Sequence, residues 1–219
     1  MPKVTRFGNL GQVFSDGKSE LLNLLAGLSV IYEDLRIEQN ALVTGEAQLG
    51  DLDKLGWEYR FIYFLRRSSV TLEEFRGGLT RIKQTAEFKA AQKNLSVMDV
   101  EYIRAAESYF QANSKTIKDF RNAFGGHLLD PGVKFATSHL SDVSGKVIWD
   151  SAPDGALQAL ELHFAANIVT GAICSKFPEG AYAHEEVRAI SSVIFDGYRH
   201  AQGAMYALGH AFLWDKFGR

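Results

Sequence analysis

Apolar residues return every three to four positions through most of this chain, the spacing of helices with one buried face. Between Ser19 and Leu42, the residues Leu21, Leu24, Leu25, Leu28, Ile31, Tyr32 and Leu35 recur at that spacing and predict a first helix. From Leu52 to Ser69 apolar residues cover most sides (Leu55, Trp57, Tyr59, Phe61, Ile62, Phe64, Leu65), as in a central buried helix. Thr71-Leu72-Glu73-Glu74 has the form of a capping box, a hydroxyl N-cap with a carboxylate three residues on. It predicts a third helix ending near Gln84. A short helical piece is expected from Glu87 to Lys93. Ser96 then caps a fourth helix, Val97 to about Phe124, whose stripe is Tyr102, Ile103, Ala106, Tyr109, Phe110, Ile117, Phe120 and Phe124. Gly125-Gly126 ends it, because paired glycines favour helix C-terminal geometry.

Beyond that point the pattern loosens. Asp130-Pro131-Gly132 reads as a turn and Val133 to Leu140 as a short helix. Lys146-Val147-Ile148-Trp149 is the one convincing strand-like run, flanked by Ser144-Gly145 and Pro153-Asp154-Gly155. Two further helices are expected, Gly155 to Lys176 and His184 to Lys216, divided at Pro178 and Gly180. The architecture predicted is all-α: a bundle of about six helices with a small irregular insert near residues 130–153. A flexible N-terminal arm over residues 1–17, rich in glycine, precedes a single helical domain over 18–219.

Composition narrows the function classes. The chain has 219 residues, is 46% hydrophobic and carries a net charge of -2, so it can build a core but offers nucleic acid no global basic field. Contact with RNA needs a local basic patch. The single Cys174 excludes an intrachain disulfide and any multi-cysteine metal site, and it suits a reducing cytoplasm. Met1-Pro2-Lys3-Val4 lacks the apolar run of a signal peptide. The most apolar segment, Ala156 to Phe177, is interrupted by Glu161, His163 and Lys176, which makes it a buried helix rather than a membrane span. The expectation is a cytoplasmic protein with no membrane partner and no cofactor.

The chemistry lies in Arg121-Asn122-Ala123-Phe124-Gly125-Gly126-His127. An imidazole exchanges protons near neutral pH, and a guanidinium holds a phosphate by a planar fork of donors. On the wheel of the fourth helix Arg121 falls at the margin of the apolar stripe. An arginine there must bury its stem and find an acceptor. Glu161, in line with Leu157, Phe164 and Ile168, is the first partner to expect, with pairing to Arg66 or a place at the edge of its own face as the alternatives. Three readings stand side by side: a structural one, with Arg121 in a buried ion pair and His127 in a helix cap, a catalytic one, and ligand binding without catalysis.

Arg, a polar residue that is often Asn, and a short spacer ending in His make a motif by which this chain resembles the HEPN superfamily. Arg121, Asn122 and His127 match it. The resemblance implies a helical bundle and a metal-independent endoribonuclease, often a toxin or defence component. It implies a homodimer in which the Arg and His of two subunits meet, with RNA as substrate and an antitoxin or other partner protein. His127 would then act as general base or acid, Arg121 would stabilise charge on phosphorus, and Asn122 would orient the phosphate or the imidazole. The alternative is a non-catalytic helical protein that binds a partner protein.

Other residues are candidates of lower rank. Arg66, beside Arg67, shares a stripe with Leu55, Tyr59 and Ile62 and would snorkel between helices or touch a phosphate. Asp196 and His200 are spaced i, i+4, as metal ligands can be, and a helical metalloprotein built on them with another histidine is a third class. With His210 they lie opposite Ile190, Ile194, Tyr198, Met205 and Phe212, so a solvated face is the plainer expectation. Gly197, Gly203 and Gly209 are expected to permit close helix packing. Tyr59, Phe61, Tyr63 and Phe64 read as core.

Overall fold

The computed structural model describes residues 13–14, 17–43, 51–122, 133–134, 137–138, 147–151, 157–162, 168–171 and 183–214. Side chains are not described at every one of these positions. Among the described residues the fold is helical, as the periodicity predicts, with one two-stranded antiparallel ribbon. The helices are α1 (Glu20–Val43), α2 (Asp51–Gln84), α3 (Ala86–Ala91), α4 (Val97–Phe120) and α5 (Ala183–Phe212). The strands β1 (Val147–Ser151) and β2 (Leu157–Leu162) lie between α4 and α5 in sequence.

Boundaries follow local chemistry. Ser19 opens α1, its hydroxyl accepting the Leu22 amide at 3.1 Å. Thr85 divides α2 from α3: its hydroxyl donates to the Ile82 carbonyl at 2.7 Å and accepts the Phe88 amide at 3.2 Å. Ser96 opens α4 by accepting the Asp99 amide at 3.1 Å.

Two expectations fail here. The second and third predicted helices are one, and Thr71 lies buried inside α2 rather than at a cap. The reason is a continuous buried row at helical spacing, Ile62, Leu65, Ser68, Ser69, Leu72, Phe75, Leu79 and Ile82. Two serines occupy that row and mimic a break. The Ser69 hydroxyl instead donates to the Arg66 carbonyl at 2.6 Å and leaves the helix intact. Glu73 pairs forward with Arg76 within the helix, at 2.7 Å. The same helix is wetter than predicted, since Tyr59 and Tyr63 are exposed.

The second failure is the helix expected from Gly155. Residues 157–162 form β2, which pairs with β1 from Val147↔Leu162 to Ser151↔Leu157, with an irregularity between Asp150 and Ser151. A strand over Lys146–Trp149 needs a partner for its backbone groups. Leu157-Gln158-Ala159-Leu160-Glu161-Leu162 is too short for period 2 and period 3.6 to be told apart. The expected insert near 130–153 is therefore in part the first half of this ribbon. Residues 168–171 are helical, with Val169 buried.

The chain divides into two compact units: residues 1–37, 71–117 and 195–219, and residues 38–70 and 118–194. The first packs the start of α1, the end of α2, α3, most of α4 and the end of α5 around Leu25, Leu28, Phe75, Phe88 and Phe110. Phe75 meets Phe110 at 6.1 Å between ring centres, and Phe88 meets Phe212 at 6.0 Å. Small residues let elements approach: a Cβ on Gly78 would stand 2.8 Å from the Leu28 side chain, and one on Gly197 2.9 Å from that of Leu72. Part of the expected arm also packs, since Val13 is buried and Gly17 turns with a φ of 77°. In the second unit Leu42, Ile62 and Leu65 are buried, and the Gln39 amide donates to the Ser68 hydroxyl at 3.2 Å.

Candidate functional site

The stripe of α4 is as predicted for Ile103, Ala106, Phe110, Ile117 and Phe120, all buried. After Phe120 the helix widens into a π turn over residues 121–122. Arg121 and Asn122 are both exposed there. This corrects the expectation that Arg121 is buried at the apolar margin. The wheel assumes 100° per residue, and the change to π geometry at 121–122 breaks that phase just where the charge needs water. Glu161 lies in β2 opposite Ile148, so the helical stripe that nominated it as partner to Arg121 does not exist. Its side chain lies outside what the structure describes. His127 and Gly125-Gly126 also lie outside the described residues, so the motif is seen by its first two members only.

Arg66 is half-buried on α2 and Arg67 is exposed. The Arg67 Nε stands 3.7 Å from a carboxylate oxygen of the buried Glu38. Asp196 and His200, expected on a solvated face, are half-buried. Asp196 pairs with Arg199 at 3.4 Å, and the His200 ring stacks on Tyr109 at 4.5 Å and 21°. Burial, helped by the charge of Asp196, pushes the Tyr109 hydroxyl up to about 12. Tyr32, stacked on Tyr198 at 6.2 Å, is pushed up to about 12 for the same first reason. Among the described residues no three His, Cys, Asp or Glu side chains are grouped to hold a metal ion. Among them too, no helix is long and apolar enough to cross a membrane.

One constellation escaped sequence reasoning. Asp99, 2% exposed, meets Nδ1 of His210 with both carboxylate oxygens, at 2.9 and 3.1 Å. The Ser96 hydroxyl donates to the same carboxylate at 2.6 Å. His210 is exposed, as its face by phase predicts, but its ring is anchored by Asp99. The Ser96-x-x-Asp99 spacing was the one signal available, and it specifies a cap, not a histidine 111 residues away. Asp99 engages Nδ1, and Nε2 is the second polar atom of the imidazole. Around this imidazole stand Tyr206 at 6.3 Å, nearly parallel, and Trp214 at 5.3 Å, nearly perpendicular.

A shallow cavity of about 260 Å³ opens beside α4, lined by Arg76, Thr80, Glu107, Phe110, Gln111 and Ser114 among others. Lys83 pairs with Glu107 at its edge, so its cation is already engaged. No family model, no curated protein and no solved structure matches the chain.

Proposed function

We propose that the chain is a metal-independent endoribonuclease resembling HEPN proteins, with Arg121, Asn122 and His127 as its reacting groups. The observation that supports it is the exposure of Arg121 and Asn122 beyond the last buried turn of α4. A purely structural Arg121 calls for a buried stem and an enclosed acceptor; a catalytic one needs access to a phosphate. The chemistry is transesterification. The 2′-hydroxyl attacks the adjacent phosphorus, a base takes its proton, the bond to the 5′-oxygen breaks, and an acid protonates that leaving oxygen. His127 serves as base or acid. Arg121 neutralises the added charge on the pentacoordinate phosphorus, and Asn122 orients the phosphate or the imidazole. The products are a 2′,3′-cyclic phosphate and a 5′-hydroxyl.

The motif supplies few groups per chain, so the site is composite and the protein a two-fold homodimer. A role as toxin or defence component, with a partner protein that restrains it, belongs to the same reading. The test is cleavage of a mixed-sequence RNA in EDTA by the wild-type chain, Arg121→Ala and His127→Ala, with circular dichroism for each. Cleavage in EDTA that both substitutions abolish supports the assignment. Cleavage that needs a divalent metal, or survives in His127→Ala, overturns it. A second reading, non-catalytic docking of a partner protein, is favoured by Val30 and Ile37, which share one face of α1 and are both exposed. Loss of a partner on Val30→Asp with RNA cleavage absent throughout would select it.

A further inference from the structure

We infer that the Asp99–His210 pair and the rings of Tyr102, Tyr206 and Trp214 form a binding site for an unpaired nucleobase. The inference rests on the reading above only for its source of bases, an RNA strand. Tyr102 and Tyr206 are each 42% exposed and Trp214 is 43% exposed. They are not scattered: Tyr102 meets Tyr206 at 5.8 Å and 66°, and Tyr206 meets Trp214 at 4.9 Å and 89°. A tertiary clip between the start of α4 and the end of α5 accounts for Asp99 and Nδ1 of His210. It does not account for Tyr206 and Trp214 left open to water beside the imidazole, nor for Tyr102 left open against Tyr206.

Glycines seat these rings against the backbone. Tyr102 lies over Gly203, where a Cβ would come 2.9 Å from the ring. Trp214 folds back over Gly209, its Nε1 3.2 Å from where a Cβ would stand. Each glycine leaves room for a ring to lie close to the backbone. A nucleobase offers what such a site can use: a flat π-face to stack on an aromatic ring, and N–H donors at its edge. His210 meets that edge with Nε2, the ring nitrogen that Asp99 does not engage, which can accept from a base N–H or donate to a base acceptor. Uracil, adenine and cytosine all carry donors and acceptors at that edge. The ligand is thus a planar nitrogen heterocycle, supplied by a single-stranded RNA or by a free nucleotide.

Fluorescence anisotropy with a labelled 2′-O-methyl oligouridine tests this, using about eight nucleotides, within the length one such surface covers. The 2′-O-methyl group removes the attacking hydroxyl, so binding is read without cleavage. Trp214→Ala and Tyr206→Ala are expected to weaken binding about tenfold each, the effect of losing one stacked base. Trp214→Phe, which keeps a ring and guards against a folding artefact, should stay within about threefold of wild type. Uridine monophosphate as competitor separates the sources: displacement at micromolar concentration assigns a free nucleotide, and failure to displace assigns the strand. Absence of binding by the wild-type chain, or equal binding by Trp214→Ala, overturns the site. Cleavage in EDTA with binding indifferent to Trp214 removes the base site and leaves the ribonuclease. Binding that depends on Trp214 in a chain that cleaves nothing does the reverse. Dimerisation lost in Trp214→Ala, with oligonucleotide binding unchanged, gives the surface to a second copy instead.

Discussion

The two ends of α4 solve one problem in opposite ways. A helix end leaves backbone groups without intrahelical partners and concentrates partial charge. At the start, Ser96 and Asp99 close the end with side chains, and His210 completes the carboxylate's shell. At the finish, the helix widens into a π turn and presents Arg121 and Asn122 to solvent. The closed end has its polar groups fixed by internal bonds, and its rings are what remains open. The open end keeps its polar heads available. Exposed rings suit recognition; an exposed cation and amide suit a reacting phosphate. The two proposals divide along that line.

The sharpest way to break the comparison is to remove His210. In His210→Ala the Asp99 carboxylate stays buried with one hydroxyl partner, and a buried charge that loses its partner is costly. The expected loss is about 2–3 kcal/mol in chemical denaturation, kept below the fully buried case because the imidazole is half open to water. Asp99→Ala should cost less, because the histidine left behind is solvated. Equal and negligible losses would mean that this end of α4 is not anchored as described.

Gly197 and Gly203 sharpen the picture on the α5 side. A methyl on Gly197 meets Leu72, which is fully buried and cannot withdraw, and Tyr109 at 3.5 Å. Overpacking costs about 1–3 kcal/mol, partly offset by about 1 kcal/mol gained on replacing a helical glycine. Gly197→Ala should therefore be destabilised by about 1 kcal/mol. A methyl on Gly203 meets the ring of Tyr102, which is exposed and can swing away. Gly203→Ala should be neutral or slightly stabilised by thermal melting, and weaker in oligonucleotide binding because Tyr102 is unseated. A Gly203→Ala as unstable as Gly197→Ala would show that Tyr102 is locked in place.

Alkaline titration reads the anchored half of α4 through Tyr109. Its folded value of about 12 stands above the ordinary value of 10.0 because burial and then Asp196 disfavour the phenolate. The folded chain therefore prefers the neutral phenol. That contribution is complete below about pH 10 and is lost as pH rises through about 12. Tyrosinate absorbance should show a late-ionising class that includes Tyr32 and Tyr109. Asp196→Asn should lower the value of Tyr109 only in part, since burial remains the larger cause. Complete return to the ordinary value would reverse that order.

How much of this was written in the chain depends on the distance over which each signal acts. The caps at Ser19, Thr85 and Ser96 and the buried stripes of α1 and α4 are local, and they read directly. Thr71-Leu72-Glu73-Glu74 carries the same local signal but loses to the unbroken row from Ile62 to Ile82, because burial outweighs a cap. β2 was misread as helix because its identity is set by β1, and six residues hold too little periodicity to decide. Arg121 was misplaced because a wheel extrapolates past the point where the helix changes pitch. The Asp99–His210 pair joins residues 111 apart, which no pattern within one element can reveal.

The smallest effect is expected at the open end, and its smallness is informative. Arg121→Ala and Asn122→Ala remove exposed side chains from the last turn of a helix already held by Ile117 and Phe120. Neither removal opens a cavity among buried side chains. Surface changes of this kind lie within about 0.5 kcal/mol of wild type. The same Arg121→Ala should nonetheless abolish RNA cleavage if the guanidinium faces the phosphate. A structural arginine reverses the pattern: its loss leaves a carboxylate buried alone and costs about 3–5 kcal/mol. Denaturation and cleavage measured on one Arg121→Ala preparation therefore separate the two. A stable, inactive variant keeps the reacting groups at this end of α4, whereas an unstable one returns Arg121 to the core and takes the catalytic assignment with it.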